Sequence, residues 1–348
     1  MKSISIFLVA VFILCSCSSK SNDRFSSQII TSSAVLVKPE IFKTEKINAE
    51  IYDIRILDSV LILRSDDGSG FLQLFSKNSF KFLNTTGIKG RGPGEIPNNM
   101  IEIKTINDRL HIFQLSKNSI SIFDKNVFLN DSLPIAQETI TFEKYKGNFD
   151  IFPINEYYVS KPTINTRFAL YNDSGQYINE YLDYPKLGNN IDKETHDLAF
   201  RHFSLTEPKP DLSKFVSLTF LGGTLEIFDI KDGAINKVVE KTYLDANLKN
   251  SKNVLEIITD ETNMGFYGVY VTNDNIYASY SGLNHKDYRK NNILFDYITV
   301  FDWNGEIKKI YKVEGGLLDL AVDEALNKIY IVTKNADSEE VVGFFNIP

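Results

Sequence analysis

The run Gly87-Ile88-Lys89-Gly90-Arg91-Gly92-Pro93-Gly94-Glu95, followed by Ile96-Pro97, sets four glycines, two cations and a carboxylate within nine residues. Glycines open backbone conformations closed to other residues, and their free N–H groups can cradle an anion. A phosphate loop would need Gly-Lys-Ser/Thr opening a helix, and nothing here indicates a helix. The other reading is a connection between strands, with Arg91 paired to Glu95 or to a neighbouring loop. Arg91 and Glu95 are therefore the first candidate ligand-binding residues. A second set stands at the starts of short apolar runs: Asp53, Arg55, Glu102, Asp150, Arg201, His202, Tyr267 and Asp319. Together they would give a polar ligand both signs of charge and an aromatic surface. Catalytic signals are weak. His111, His196, His202 and His285 show no close metal-ligand spacing. No Gly-x-Ser-x-Gly elbow or compact Ser/His/Asp cluster occurs.

The elements that would hold these residues are short strands. From Ile51 an apolar strand, a turn, a second strand and an aromatic hairpin recur. The first copy runs Ile51–Ile56, Val60–Leu63, Phe71–Phe75 and Phe80–Leu83. The second runs Ile101–Lys104, Leu110–Phe113 and Ser119–Asp124, with Val127 opening its fourth strand. The later copies begin at Phe149, Ala199, Phe266 and Leu318. The third-strand aromatics Phe75, Phe123, Tyr171, Phe228, Phe301 and Phe345 lie 48, 48, 57, 73 and 44 residues apart. A period of 40–50 residues with four strands per unit predicts propeller blades. The expected fold is all-β: a six-bladed β-propeller of four-stranded antiparallel blades. The sixth copy lacks a fourth strand, which the segment Ser33 to Ile47, with Ala34-Val35-Leu36-Val37, would supply. N- and C-terminal strands would then close the ring. Seven blades is the rival count, if Val254 to Ile258 opens another. The candidate residues at the inner-strand starts would line the mouth of the channel.

Ahead of this body, Lys2 precedes the apolar run Ile4–Leu14, which is too short to span a bilayer comfortably. It ends in Leu14-Cys15-Ser16-Cys17, which resembles a bacterial lipobox with Cys17 as the lipidated residue. The organisation expected is a signal peptide over 1–16, a polar tether over 17–32 and one propeller domain over 33–348. Both cysteines fall in the first 17 residues, so an exported chain would carry no disulfide. The net charge of −7 argues against nucleic acid and against adhesion to anionic lipid.

Gly87 to Pro97 resembles the inter-blade run of NHL repeats. Leu318 to Asp323 with Asn327 to Val332 resembles the core of the same repeat. With the lipobox, the chain looks like the TolB-like six-bladed propeller lipoproteins common in Bacteroides, over residues 34–348. The resemblance implies the fold and an envelope location but no function, because that family is mostly of unassigned function.

The function expected is a membrane-anchored ligand- or protein-binding module of the cell envelope. The alternative is a metal-dependent lyase or hydrolase that uses the channel. No cofactor is expected under the first reading, and a channel-bound metal ion would belong to the second. The expected partner is an envelope protein or a glycan, met by a monomer held at the outer membrane through its lipid, with the membrane face left open.

Overall fold

The computed structural model describes residues 33–42, 50–65, 68, 70–92, 94–96, 101–131, 133–144, 147–163, 166–185, 202–249 and 257–348. Cys17, Arg201 and the Val254–Glu256 part of the seventh-blade segment lie outside them. Burial follows each strand's place in its blade. Second and third strands are covered on both faces and read as continuous apolar runs, as in Val60–Ser65 and Gly70–Ser76. Outer strands alternate, as in Tyr177–Tyr181, because one face meets solvent.

Six sheets, each with four antiparallel strands, form among the described residues, their inner strands being Ile51–Leu57, Ile101–Ile106, Asn148–Ile154, Ser204–Pro208, Phe266–Val271 and Asp319–Asp323. They are blades 1 to 6 of a six-bladed β-propeller. All six register aromatics fall on third strands and are buried. The hydrophobic interior consists of six clusters, one at each junction between neighbouring blades. Each cluster takes residues from both blades, so no blade covers its own faces.

Some expected boundaries move among the described residues. Val127 lies in a six-residue helix, Lys125–Asn130, capped by the Asp124 side chain, and the outer strand of blade 2 is Glu138–Thr141. The helix buries Phe128 against Phe123 of its own blade, which an apolar run alone does not distinguish from a strand. The described inner strand of blade 4 is Ser204–Pro208, and Ala199 lies outside the described residues. The N-terminal segment divides between two blades. Glu40–Phe42 pairs antiparallel with Glu340–Asn346 and supplies the missing strand of blade 6. Val35–Val37 instead pairs parallel with the outer strand of blade 5, Ile307–Leu317. Lys38-Pro39 between them makes the step from one blade to the next.

The junction of blades 6 and 1 closes the ring. Phe80, in the last turn of blade 1, stacks on Phe42 at 4.0 Å and on Phe344 at 5.0 Å. It does so at φ +55°, a left-handed conformation that costs a bulky residue energy. Around it the Tyr330 hydroxyl donates to the Lys77 carbonyl, Lys77 pairs with Asp323 at 2.6 Å, and Ile51 N–H donates to Glu340.

Phe80→Ala should cost about 2 to 3 kcal/mol by loss of the stack, below the range for a fully buried Phe because Phe80 is half-buried. Phe80→Gly should recover about 1 kcal/mol of that by accepting the left-handed backbone. Urea denaturation of the three proteins measures both differences.

Candidate functional site

Six inner strands converge on one axis, and ionisable side chains from these strands arrive there with them. A cavity of about 290 Å³ opens at this end of the channel. Of the sequence-predicted residues, Asp53, Arg55, Glu102, Asp150, Tyr267 and Asp319 line it. His202 is buried to one side, tilted against the Tyr184 ring at 4.8 Å. Arg91 and Glu95 do not line the cavity.

The glycine run is closed on itself. Ile96 N–H donates to the Ile88 carbonyl and Gly90 N–H to the Ile96 carbonyl, each at 2.9 Å. The Glu95 carboxylate turns back and accepts from Gly92 N–H at 2.6 Å. A Cβ on Gly90 would lie 1.9 Å from the Glu95 carboxylate, so a side chain there would push that carboxylate off Gly92 N–H. The loop's own side chain takes the place expected for an anion, while Arg91 is exposed.

Three of the inner strands carry a β-bulge at their start, between Ile51 and Asp53, Asn148 and Asp150, and Phe266 and Val269. A bulge inserts an extra residue and re-aims side chains. The residues inside the three bulges include Tyr52, Phe149 and Tyr267, all of which line the cavity. They come from alternate blades 1, 3 and 5. In blades 1 and 3 the residue after the bulged aromatic is Asp, and its cross-strand partner is a cation: Arg64 opposite Asp53, and Lys161 opposite Asp150. Arg64, Lys161, Lys104 and Glu207 were not among the sequence candidates. One signal was available: each second-strand cation follows its aromatic-Asp pair by eleven residues, as Arg64 follows Asp53 and Lys161 follows Asp150.

Below the aromatic layer a buried ion network crosses the axis. Arg55 pairs with Glu207 at 2.8 Å and with Asp53 at 3.0 Å. Lys104 pairs with Asp150 at 3.1 Å and Glu207 at 3.2 Å, and donates to the Thr206 carbonyl. Thr206 donates to Asp150 at 2.9 Å. Glu207 of blade 4 thus joins Arg55 of blade 1 to Lys104 of blade 2. Burial alone would discharge Lys104, but Asp150 and Glu207 hold its pKa above the ordinary value. The same contest leaves Arg55 well above its usual range.

Nearer the mouth the groups are less tightly held. Lys161 donates to the Ser204 carbonyl and lies over the Phe203 ring at 4.9 Å. Burial pulls its pKa down to about 8, Asp150 and Glu102 opposing. Arg64 lies over the Tyr52 ring at 5.5 Å and faces Glu102 across 3.9 Å, too long for a hydrogen bond. Glu102 is enclosed by the ring, yet 39% of its side chain faces the cavity. Its pKa is raised by that burial, with Arg64 opposing. Asp319 is held well above the usual carboxylate range by burial and by Asp53, to which it hydrogen-bonds. It also accepts from Ile54 N–H at 3.1 Å. Gly268 makes room for it, since a Cβ there would meet Asp319 Oδ1 at 2.7 Å. Among the described residues no three His, Cys, Asp or Glu side chains gather into a metal-binding group. His111 is buried in a second strand away from the axis, its pKa lowered to about 4 by burial and Arg109.

A family model described as TolB-like, 6-blade propeller-like, matches residues 25–325. Among solved structures, a Bacteroides fragilis protein inferred to be exported superposes with a TM-score of 0.57 at 11% identity, over 92% of this chain and 98% of that one. A Desulfotomaculum acetoxidans protein of unknown function gives 0.44 at 14% identity, over 78% and 74% of the two chains. BamB from Moraxella catarrhalis gives 0.36 at 12%, over 84% and 71%. No curated protein matches the sequence.

Glu207→Gln should leave Arg55 and Lys104 short of countercharge and cost about 3 to 5 kcal/mol, read as a lower urea midpoint. Asp319 binds its proton more tightly in the folded chain than in the unfolded one. Its contribution is therefore full below about pH 4, the unfolded value, and is lost as pH rises through the raised folded pKa. Asp319→Asn should remove that loss, so its stability relative to the parent should climb with pH. Melting temperatures of both proteins from pH 4 to 9 test the sign.

Proposed function

The chain belongs to the TolB-like family of six-bladed propellers, and from that premise we propose a membrane-anchored binding module of the bacterial envelope. The fold leaves the function open, because function lives in sites grafted onto folds. The observation that supports binding is the arrangement at the channel mouth. Three bulged aromatics and the under-used Arg64, Glu102 and Lys161 surround a cavity of about 290 Å³, over a deeper network whose charges already satisfy one another. Such a site holds and orients a small polar group of a ligand or partner.

Export and anchoring rest on residues 1–17. Cys17, lipidated after cleavage behind Ser16, would hold the body at the outer membrane through a polar tether. The charge of the whole chain, −7, adds no attraction to anionic lipid. A glycan or an envelope protein is the partner class this placement favours, and the propeller acts as a monomer.

Two experiments test the reading. Cys17→Ser should move the protein from the membrane fraction to the soluble fraction, and mass spectrometry of the parent should find acyl chains on Cys17. A parent that fractionates as soluble overturns the anchor. For the mouth, a photoreactive phenylalanine analogue at Tyr52 should capture an envelope component in cells. The same analogue at Leu83, exposed on an outer strand, should not. Capture at Leu83 alone overturns the channel-mouth reading.

A further inference from the structure

We propose that the channel mouth binds a single uncharged sugar residue, held against the bulged aromatics with its hydroxyls shared between acid and base. This rests on the binding reading above and names its ligand class. Blades 1 and 3 present the same unit twice: a bulged aromatic, the Asp that follows it, and a cation opposite that Asp. A pyranose ring has an apolar C–H face and a rim of hydroxyls, each of which both donates and accepts. The aromatic suits the first, and a carboxylate beside a cation suits the second.

The polar atoms left over fit that ligand. Asp150 is 6% exposed, and its Oδ1 accepts no hydrogen bond. Arg64 Nε is a buried donor with no acceptor. The 3.9 Å gap between Arg64 and Glu102 can be bridged by a hydroxyl that accepts from the guanidinium and donates to the carboxylate. That exchange keeps the pair's charges matched. A ligand carboxylate or ammonium would compete with one partner and strand the other, which is expensive in an enclosed site.

The charge of the site points the same way. Among the described lining residues, five carboxyl groups face four cations. Burial and the neighbouring Asp53 favour the protonated form of Asp319, which narrows the difference of one between the two signs. A site so close to balance has little net charge to trade for a charged ligand. Its volume lies near the lower end of small-molecule pockets, which begin at about 300 Å³. One sugar residue fits that scale, with the rest of a glycan extending past Tyr52 and Tyr267 into solvent. Those two rings are 41% and 39% exposed.

Isothermal titration of the mature chain tests this with four probe classes: methyl glycosides of neutral hexoses and N-acetylhexosamines, glucuronate, glucosamine, and glycyl-leucine. At least one neutral glycoside should bind, at least tenfold more tightly than any charged probe. Tyr267→Ala should weaken it about tenfold, with a circular dichroism spectrum like the parent's showing that the variant, which also loses its stack on Phe295, is folded. Phe149→Leu should weaken it similarly. Tighter binding of a charged probe, binding indifferent to Tyr267→Ala and Phe149→Leu, or no neutral glycoside bound at tens of millimolar overturns the sugar assignment. The binding reading fails separately: it survives if the Tyr52 photoadduct is a protein, and falls if capture occurs only at Leu83.

Discussion

Each blade of this protein buries its faces only against other blades, and the rest of the structure depends on that. The six hydrophobic clusters sit at the six junctions. An open row of blades would leave two apolar faces in water, so the ring must close. Closure falls to a junction that chain connectivity alone does not hold. It is made by strand Glu40–Phe42, by Phe80 in a strained backbone conformation, and by contacts from Lys77 and Tyr330. The N-terminal segment also ties Val35–Val37 to blade 5, so one short stretch fastens two blades. Export and anchoring, as proposed, would bring the tether to the element that closes the fold.

Closure also creates the site. Six strand edges brought to one axis leave a space that apolar side chains do not fill, and charged side chains meet there from blades far apart in sequence. Arg55, Glu207 and Lys104 come from blades 1, 4 and 2. Buried ion pairs of this kind contribute little net stability against their desolvation, yet removing one partner is costly. They pin the relative positions of the blades and form a layer in which the charges are paired. Above it the bulges of blades 1, 3 and 5 turn aromatic rings to the mouth. Paired charges thus lie deep, and the less tightly held Arg64, Glu102 and Lys161 lie above them.

The glycine run shows how a chemical motif can be consumed by architecture. Its N–H groups are real anion donors, but Glu95 three residues on reaches Gly92 first. Gly90 leaves room for that carboxylate, which lies where a Cβ would stand. The spacing that suggested an anion cradle is the spacing of a self-capped turn. Ile96 leaves the turn buried in the core between blades 1 and 2, so the loop also sets where blade 2 begins.

Local patterning in the sequence determined the blades. Phe75, Phe123, Tyr171, Phe228, Phe301 and Phe345 all stand on third strands, because strands buried on both faces must be apolar and recur once per blade. The need for an N-terminal closing strand was legible for the same reason: a sixth blade one strand short cannot remain open. Which residues close it was not, since Val35–Val37 and Glu40–Phe42 look alike locally and differ only in the edge they meet. Asp53, Arg55, Glu102, Asp150, Tyr267 and Asp319 could be placed at the mouth because they begin inner strands. Lys104, Glu207, Arg64 and Lys161 could not. The first two stand on inner strands as deep as Arg55, with no local mark to show that they meet it across the axis; the others lie on second strands and are brought to the mouth opposite the bulged segments by cross-strand pairing. Periodicity records which face of a strand is buried. Only the closed ring decides which distant charges that burial brings together.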